Sequence, residues 1–98
     1  MQRFGFLLIP GFSMLSLAAA VEPLRMANAQ AEEELYQWDF LSWDNTSVNA
    51  SNNMVTAPTI DVDQVKMLDV LLVVAGINGA TYGDDVFFAW LRQASRQL

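Results

Sequence analysis

Two short segments carry residue types suited to holding a small molecule: Ile9-Pro10-Gly11-Phe12-Ser13 and Ala75-Gly76-Ile77-Asn78. Each contains a glycine, which lets a ligand approach the backbone closely. Ser13 stands where a helix would open, and the free amides of a helix N-terminus favour an anion. Phe12, Ser13, Gly76, Ile77 and Asn78 are therefore the candidate ligand-binding residues. Both glycines also suit plain tight turns, and on residue types alone the two roles stay open.

Most covalent and metal chemistry is closed to this sequence. It has no cysteine and no histidine, which removes disulfides, thiolate or imidazole zinc sites, and Ser-His or Cys-His pairs. Five basic residues against eleven acidic ones give a net charge of -6, and Arg3, Arg25, Lys66, Arg92 and Arg96 are scattered. Phosphate backbones attract clustered Lys and Arg, so direct nucleic-acid binding by these residues is not expected. Gly76, Gly79 and Gly83 are spaced G-x-x-G-x-x-x-G, without the Gly-Lys-Ser/Thr of a phosphate loop. No cofactor or metal is expected. Phe12 and Trp43 are able to box a cation, although packing beside a sheet is the ordinary role of such rings. Asp61, Asp63 and Asp69 lack the glycine-turned loop of a calcium site and are read as solvated. Asn45-Thr46-Ser47 and Asn49-Ala50-Ser51 match glycosylation acceptors, which matter only in a secreted protein.

The elements that must position the two loops follow from hydrophobic patterning. A chain of 98 residues makes one small domain at most, and 53% hydrophobic with 16% charged residues excludes disorder as the main state. No apolar run approaches the roughly 20 residues of a membrane-spanning helix. Arg3, the apolar stretch Phe4 to Ala20 and Ala18-Ala19-Ala20 imitate a secretion signal. Pro10-Gly11 breaks that stretch, and the period changes across it. Arg3 to Ile9 is nearly continuous, as in a strand buried on both faces, whereas Met14, Leu17, Ala18, Val21 and Leu24 share a helical face. A strand, a tight turn and a helix over about 14–30 fit better, with Ser13 as N-cap and a kink or later start expected at Pro23.

Ala31-Glu32-Glu33-Glu34 reads as an exposed connection. Tyr36 to Trp43 alternates and predicts a strand near a sheet edge. Val48–Ser51 and Met54–Ala57 predict a hairpin turned at Asn52-Asn53, since Asn tolerates the left-handed conformation. Ile60, Val62 and Val65 suggest a strand or extended link. Val70 to Ala75 is apolar without alternation and predicts a second strand buried on both faces. Gly83-Asp84-Asp85 caps a last helix whose stripe is Phe87, Trp90, Leu91, Ala94 and Leu98. Two such strands imply a parallel sheet with helices on both faces, and ligands bind such sheets at the carboxyl ends of the strands. A final amphipathic helix normally crosses over to a further strand, so the sequence reads as the front of a larger, here truncated, α/β domain.

The segment Arg3-Phe4-Gly5-Phe6-Leu7-Leu8-Ile9-Pro10-Gly11-Phe12-Ser13 with Glu22-Pro23-Leu24-Arg25-Met26-Ala27-Asn28 resembles the start of the amidase-like regulators of the AraC family. Asp69 to Gly76 is similar to a later strand of the same family. The resemblance implies a flavodoxin-like (DJ-1/PfpI-like) α/β sandwich with a mainly parallel sheet, residues 1–98 forming the N-terminal part of one ligand-sensing domain. It further implies a cytoplasmic, oligomeric transcription regulator responding to a small-molecule effector, a nitrogenous metabolite by family habit. DNA would be bound only through a helix-turn-helix domain beyond these residues, and no membrane is involved. In the superfamily's enzymes a cysteine elbow follows the next strand, supported by an acidic residue near the start of the first helix. Here that region reads Ser13-Met14-Leu15-Ser16, without a carboxylate, so a non-enzyme is expected. The alternatives are a fragment of a DJ-1/PfpI-type amidase, protease or hydratase, or a small secreted protein.

Overall fold

A computed structural model describes residues 1–76 and 79–98. Its first element is β1 (Gln2–Leu8), followed by α1 (Met14–Ala31) and β2 (Tyr36–Leu41). A short hairpin comes next, β3 (Val48–Asn49) and β4 (Val55–Thr56), then a 3-10 helix at Val62–Met67. The strand β5 (Val70–Val74), a 3-10 turn at Gly79–Thr81 and the helix α2 (Asp85–Gln97) complete the order.

The main sheet has the order β2-β1-β5, all parallel. Arg3 to Ile9 is thus the centre of the sheet, where a continuous apolar run belongs. Phe6, Leu7 and Leu8 are essentially fully buried. Alternation along β1 divides the core in two. Phe6 and Leu8 pack with Phe12, Leu17, Val48 and Val74 on the α1 side. Leu7 and Ile9 pack with Leu41, Val65, Leu68 and Phe87 on the other side, under the 3-10 helix and α2.

Several local expectations are met by particular atoms. Ser13 caps α1, its Oγ accepting from the Ser16 amide at 3.2 Å. Asp84 caps α2, its Oδ1 accepting from the Phe87 amide at 2.9 Å. Asn53 has φ 69° at the hairpin turn, the left-handed geometry that Asn tolerates. Asn28 clamps the end of α1 to β2: its Oδ1 accepts from the Leu35 and Tyr36 amides, and its Nδ2 donates to the Tyr36 carbonyl. The Glu22–Arg25 ion pair lies on the exposed surface of the same helix.

Other expectations require correction. The extended link expected at Ile60–Val65 is a 3-10 helix. Asp61 and Gln64 form a reciprocal capping box at its start, and buried Val62, Val65 and Leu68 follow at the spacing of three that its pitch demands. The helix α1 starts at Met14 and includes Pro23, so the later start expected at that residue is not found; Pro23 is exposed and costs the helix one amide donor. On its inner face Ala20 replaces Ala18, which is exposed. Leu98 is exposed rather than part of the α2 stripe. Finally, β5 is not buried on both faces: Leu72 is 39% and Val73 49% exposed. The strand is apolar enough for a sheet interior, yet it pairs only with β1 among the described residues.

Candidate functional site

The order β2-β1-β5 makes the boundary of β1 and β5 a switch point. From β1 the chain leaves through α1 on one face to reach β2. From β2 it passes through the hairpin, whose Val48 and Ala50 pack on the α1 side, and then through the 3-10 helix on the other side to reach β5. Connections that diverge in this way open a crevice at the carboxyl ends of the two strands. Those ends are Ile9–Ser13 and Ala75–Gly76, the segments singled out by their residue types.

The backbone brings the two loops together. The Ile9 amide donates to the Val74 carbonyl at 3.0 Å, and the Ser13 amide to the Ala75 carbonyl at 3.2 Å. Phe12 bridges Gly76 on one side and Ala50 of the hairpin on the other. The hairpin adds two more bonds, Gly11 amide to Asn49 carbonyl and Ser51 amide to Phe12 carbonyl, each 2.8 Å. Gly11 turns with φ 82°, a conformation only glycine adopts freely. Gly76 is required for a different reason: a Cβ there would lie 2.2 Å from the Gly11 carbonyl oxygen.

The candidate residues therefore have distinct positions. Phe12 is at the crevice by its backbone, but its ring is fully buried in the α1-side cluster. Ser13 is half-buried, with its hydroxyl committed as acceptor to the helix cap. Gly76 is exposed on the rim. Ile77 and Asn78 lie outside the described residues. Phe12 and Trp43 do not form a cation box, because they sit in opposite clusters. Trp43 meets Phe87 at 5.2 Å and Trp90 at 5.4 Å between ring centroids. Asp61 is used as a helix cap, and Asp69 accepts from the Arg3 amide at 2.7 Å.

What sequence reasoning missed is the hairpin as a third wall. Asn49, Ala50 and Ser51 touch the first loop through backbone atoms, and a backbone contact leaves no mark in residue type. Two ionisable groups with shifted proton affinity lie after β2 and before α2. Asp44 is held below the usual carboxylate range, chiefly by the Thr46 hydroxyl and then by the Thr46 amide. Burial pushes the Tyr82 phenol up, with smaller contributions from Asp44 and Asp84. The described part of the crevice is uncharged, and the first turn of α1 holds no acidic residue.

This is a flavodoxin-like α/β arrangement, and solved structures share it. An AraC family transcriptional regulator from Pseudomonas putida matches with a TM-score of 0.84 and 25% identity, over 99% of this chain and 52% of that one. A DJ-1 superfamily protein from Salmonella typhimurium matches in fold with a TM-score of 0.74 at 14% identity, over 98% of this chain and 51% of that one. No protein-family model matches the chain. Among curated proteins, it is 43% identical over 77 residues to the HTH-type transcriptional regulator GbdR of Pseudomonas aeruginosa, covering 79% of this chain and 21% of the relative. It is 41% identical over 95 residues to the HTH-type transcriptional regulator CdhR of the same organism, covering 97% of this chain and 28% of the relative. Over most of its length the chain is thus similar to HTH-type transcription regulators, and it shares its fold with an AraC family regulator and a DJ-1 superfamily protein. It spans between a fifth and three-tenths of the length of these curated relatives.

Proposed function

We propose that residues 1–98 form the N-terminal part of a single ligand-sensing domain of a bacterial transcription regulator. A small-molecule effector binds at the β1/β5 strand ends, against Ser13, Gly76, Ile77 and Asn78 and the Phe12 backbone. Occupancy there controls DNA binding by a helix-turn-helix domain outside these residues. The regulator works in the cytoplasm and as an oligomer, and its effector is a nitrogenous metabolite. The observation that carries the reading is the 41% identity to a helix-turn-helix regulator along 97% of the chain.

The domain has no catalytic activity of its own. In support, the sequence has neither cysteine nor histidine. The described crevice also supplies no carboxylate to activate a serine or a water. The test is a reporter gene driven by the regulator at its parent length, with amino acids and quaternary amines supplied singly as nitrogen sources. One of them should induce, and Asn78→Ala should abolish the induction. Induction that survives Asn78→Ala and Ser13→Gly together would remove the strand-end loops from the site. Hydrolysis of an amide or ester above a heat-denatured control would favour the enzyme reading instead.

A further inference from the structure

At the other end of the sheet, Arg3 of β1, Gln37 and Asp39 of β2 and Gln64 of the 3-10 helix line a cleft of about 190 Å³. Ile60, Met67 and Leu68 supply its apolar wall. None of these residues belongs to the strand-end loops. The sheet accounts for their convergence. Side chains alternate along a strand, so Arg3, Gly5 and Leu7 share one face, and Leu7 packs in the cluster beneath the 3-10 helix. The parallel register sets Gln37 beside Arg3 and Asp39 beside Gly5 on that same face. Gly5 has no side chain, which lets Leu68 pack down onto the sheet beside the cleft: a Cβ there would come within 2.3 Å of Leu68 Cδ1.

The polar groups of the cleft are not used up. The backbone of Arg3 is fixed at both ends: its amide donates to Asp69 Oδ2 at 2.7 Å, and its carbonyl accepts from the Asp69 amide at 2.8 Å. Its guanidinium, on a half-buried residue, has no ion-pair or hydrogen-bond partner among the described residues. Asp39 accepts from the Thr59 hydroxyl through Oδ1 at 2.8 Å, and its Oδ2 has no partner among the described residues. Gln64 accepts from the Asp61 amide through Oε1, which leaves its amino group to donate. With strands about 4.8 Å apart and a rise of about 3.3 Å per residue, the Cα atoms of Arg3 and Asp39 are about 8 Å apart. That distance is within reach of an arginine side chain, yet among the described residues no ion pair closes between them, so a cation and an anion border one small cleft.

We propose that this cleft binds a free α-amino acid with a short apolar side chain. The carboxylate meets Arg3, the ammonium meets Asp39 Oδ2, and the side chain lies against Ile60, Met67 and Leu68. A zwitterion fits better than a simple anion, which a chain of net charge -6 repels. The volume holds about six waters at about 30 Å³ each, the scale of a small metabolite rather than of a larger ligand. The inference stands on the cleft alone and does not depend on the regulator reading.

The test is a titration of the 98-residue chain with L-leucine, followed by nitrogen–proton correlation NMR. Isocaproate, which lacks the ammonium, and isoamylamine, which lacks the carboxylate, are titrated alongside. Saturable shifts are expected at the Gln37 and Gln64 side-chain amides. Each analogue, and each of Arg3→Gln and Asp39→Asn, should weaken binding about tenfold or more, the loss of one charge-assisted hydrogen bond. The analogue comparison needs no variant, so it decides the matter even if a substitution prevents folding. No saturable shift up to about 10 mM, the weak end of specific binding, would overturn the proposal. So would equal affinity for all three compounds, or shifts centred on Phe12 and Gly76, which would place the ligand at the strand ends.

Discussion

Replacing Gly76 by alanine tests whether the two strand-end loops are in contact. The added Cβ would stand 2.2 Å from the Gly11 carbonyl oxygen, an atom of the backbone that cannot swing aside. Ordinary carbon–oxygen contact needs about 1 Å more, so the loops must part by about that distance. Parting strains the Ser13 amide bond to the Ala75 carbonyl, already 3.2 Å long, and the Phe12–Gly76 bridge. Overpacking costs about 1–3 kcal/mol, and a weakened hydrogen bond about 0.5–1.5 kcal/mol. The expected loss is about 2–4 kcal/mol, a large share of the stability of about 5–15 kcal/mol open to a chain of this size. With a urea m-value of about 1.5 kcal/mol per M, the midpoint falls by about 1.3–2.7 M. A fall of less than about 0.3 M, within the uncertainty of such measurements, would show that the loops do not touch as described. A bulky residue at position 76 would therefore disturb the fold as well as any ligand, so Ser13 and Asn78 make better probes of effector binding.

Trp90 is half-buried against Trp43 and Phe87, so Trp90→Ala should cost about 2–3 kcal/mol, below the range of a fully enclosed ring; an unchanged melting temperature would mean that α2 packs by another face. Deleting residues 1–20 removes the central strand and the start of its crossover helix, and should abolish cooperative unfolding; a cooperative, soluble product would revive the secretion-signal alternative. Because the folded state lowers the Asp44 carboxyl, its contribution is present above the unfolded value of about 3.9 and is lost as pH falls through the folded value. Wild type should accordingly lose slightly more stability than Asp44→Asn between about pH 6 and about pH 2, an effect kept small by exposure and refuted by parallel urea midpoints. Among the described residues β5 pairs only with β1, and its uncharged outer edge favours pairing between copies. Sedimentation at tens of micromolar, an order-of-magnitude range for weak interfaces, should show an oligomer that Val73→Lys weakens, and a monomeric wild type would refute this.

The sequence was legible where a local pattern had one physical solution. The apolar run at Arg3–Ile9 interrupted by Pro10-Gly11 allowed a strand and a turn, and Ser13 before the helical stripe allowed a cap. Those elements also brought the two candidate loops to the carboxyl ends of neighbouring strands. Legibility failed where two patterns overlap. Ile60, Val62 and Val65 satisfy an alternating pattern in part, and only Asp61 with Gln64 three residues on signals a helical start. It failed again where partners decide. Nothing in Phe12 itself tells that its ring turns under α1 while its backbone stays at the crevice. Val70 to Val74 has the composition of an enclosed strand, but enclosure depends on a neighbour that the described residues do not provide.

The central claim is that a small molecule at the β1/β5 strand ends governs DNA binding in the parent-length regulator. It is tested most directly by titrating the parent-length protein onto its operator, with and without the inducing compound, for wild type and for Asn78→Ala. The account predicts an affinity for the operator that changes about fivefold or more with the compound, the lower end of measurable coupling, and a variant whose affinity no longer responds. An operator affinity indifferent to the compound in wild type, or an equal response in the variant, would contradict it.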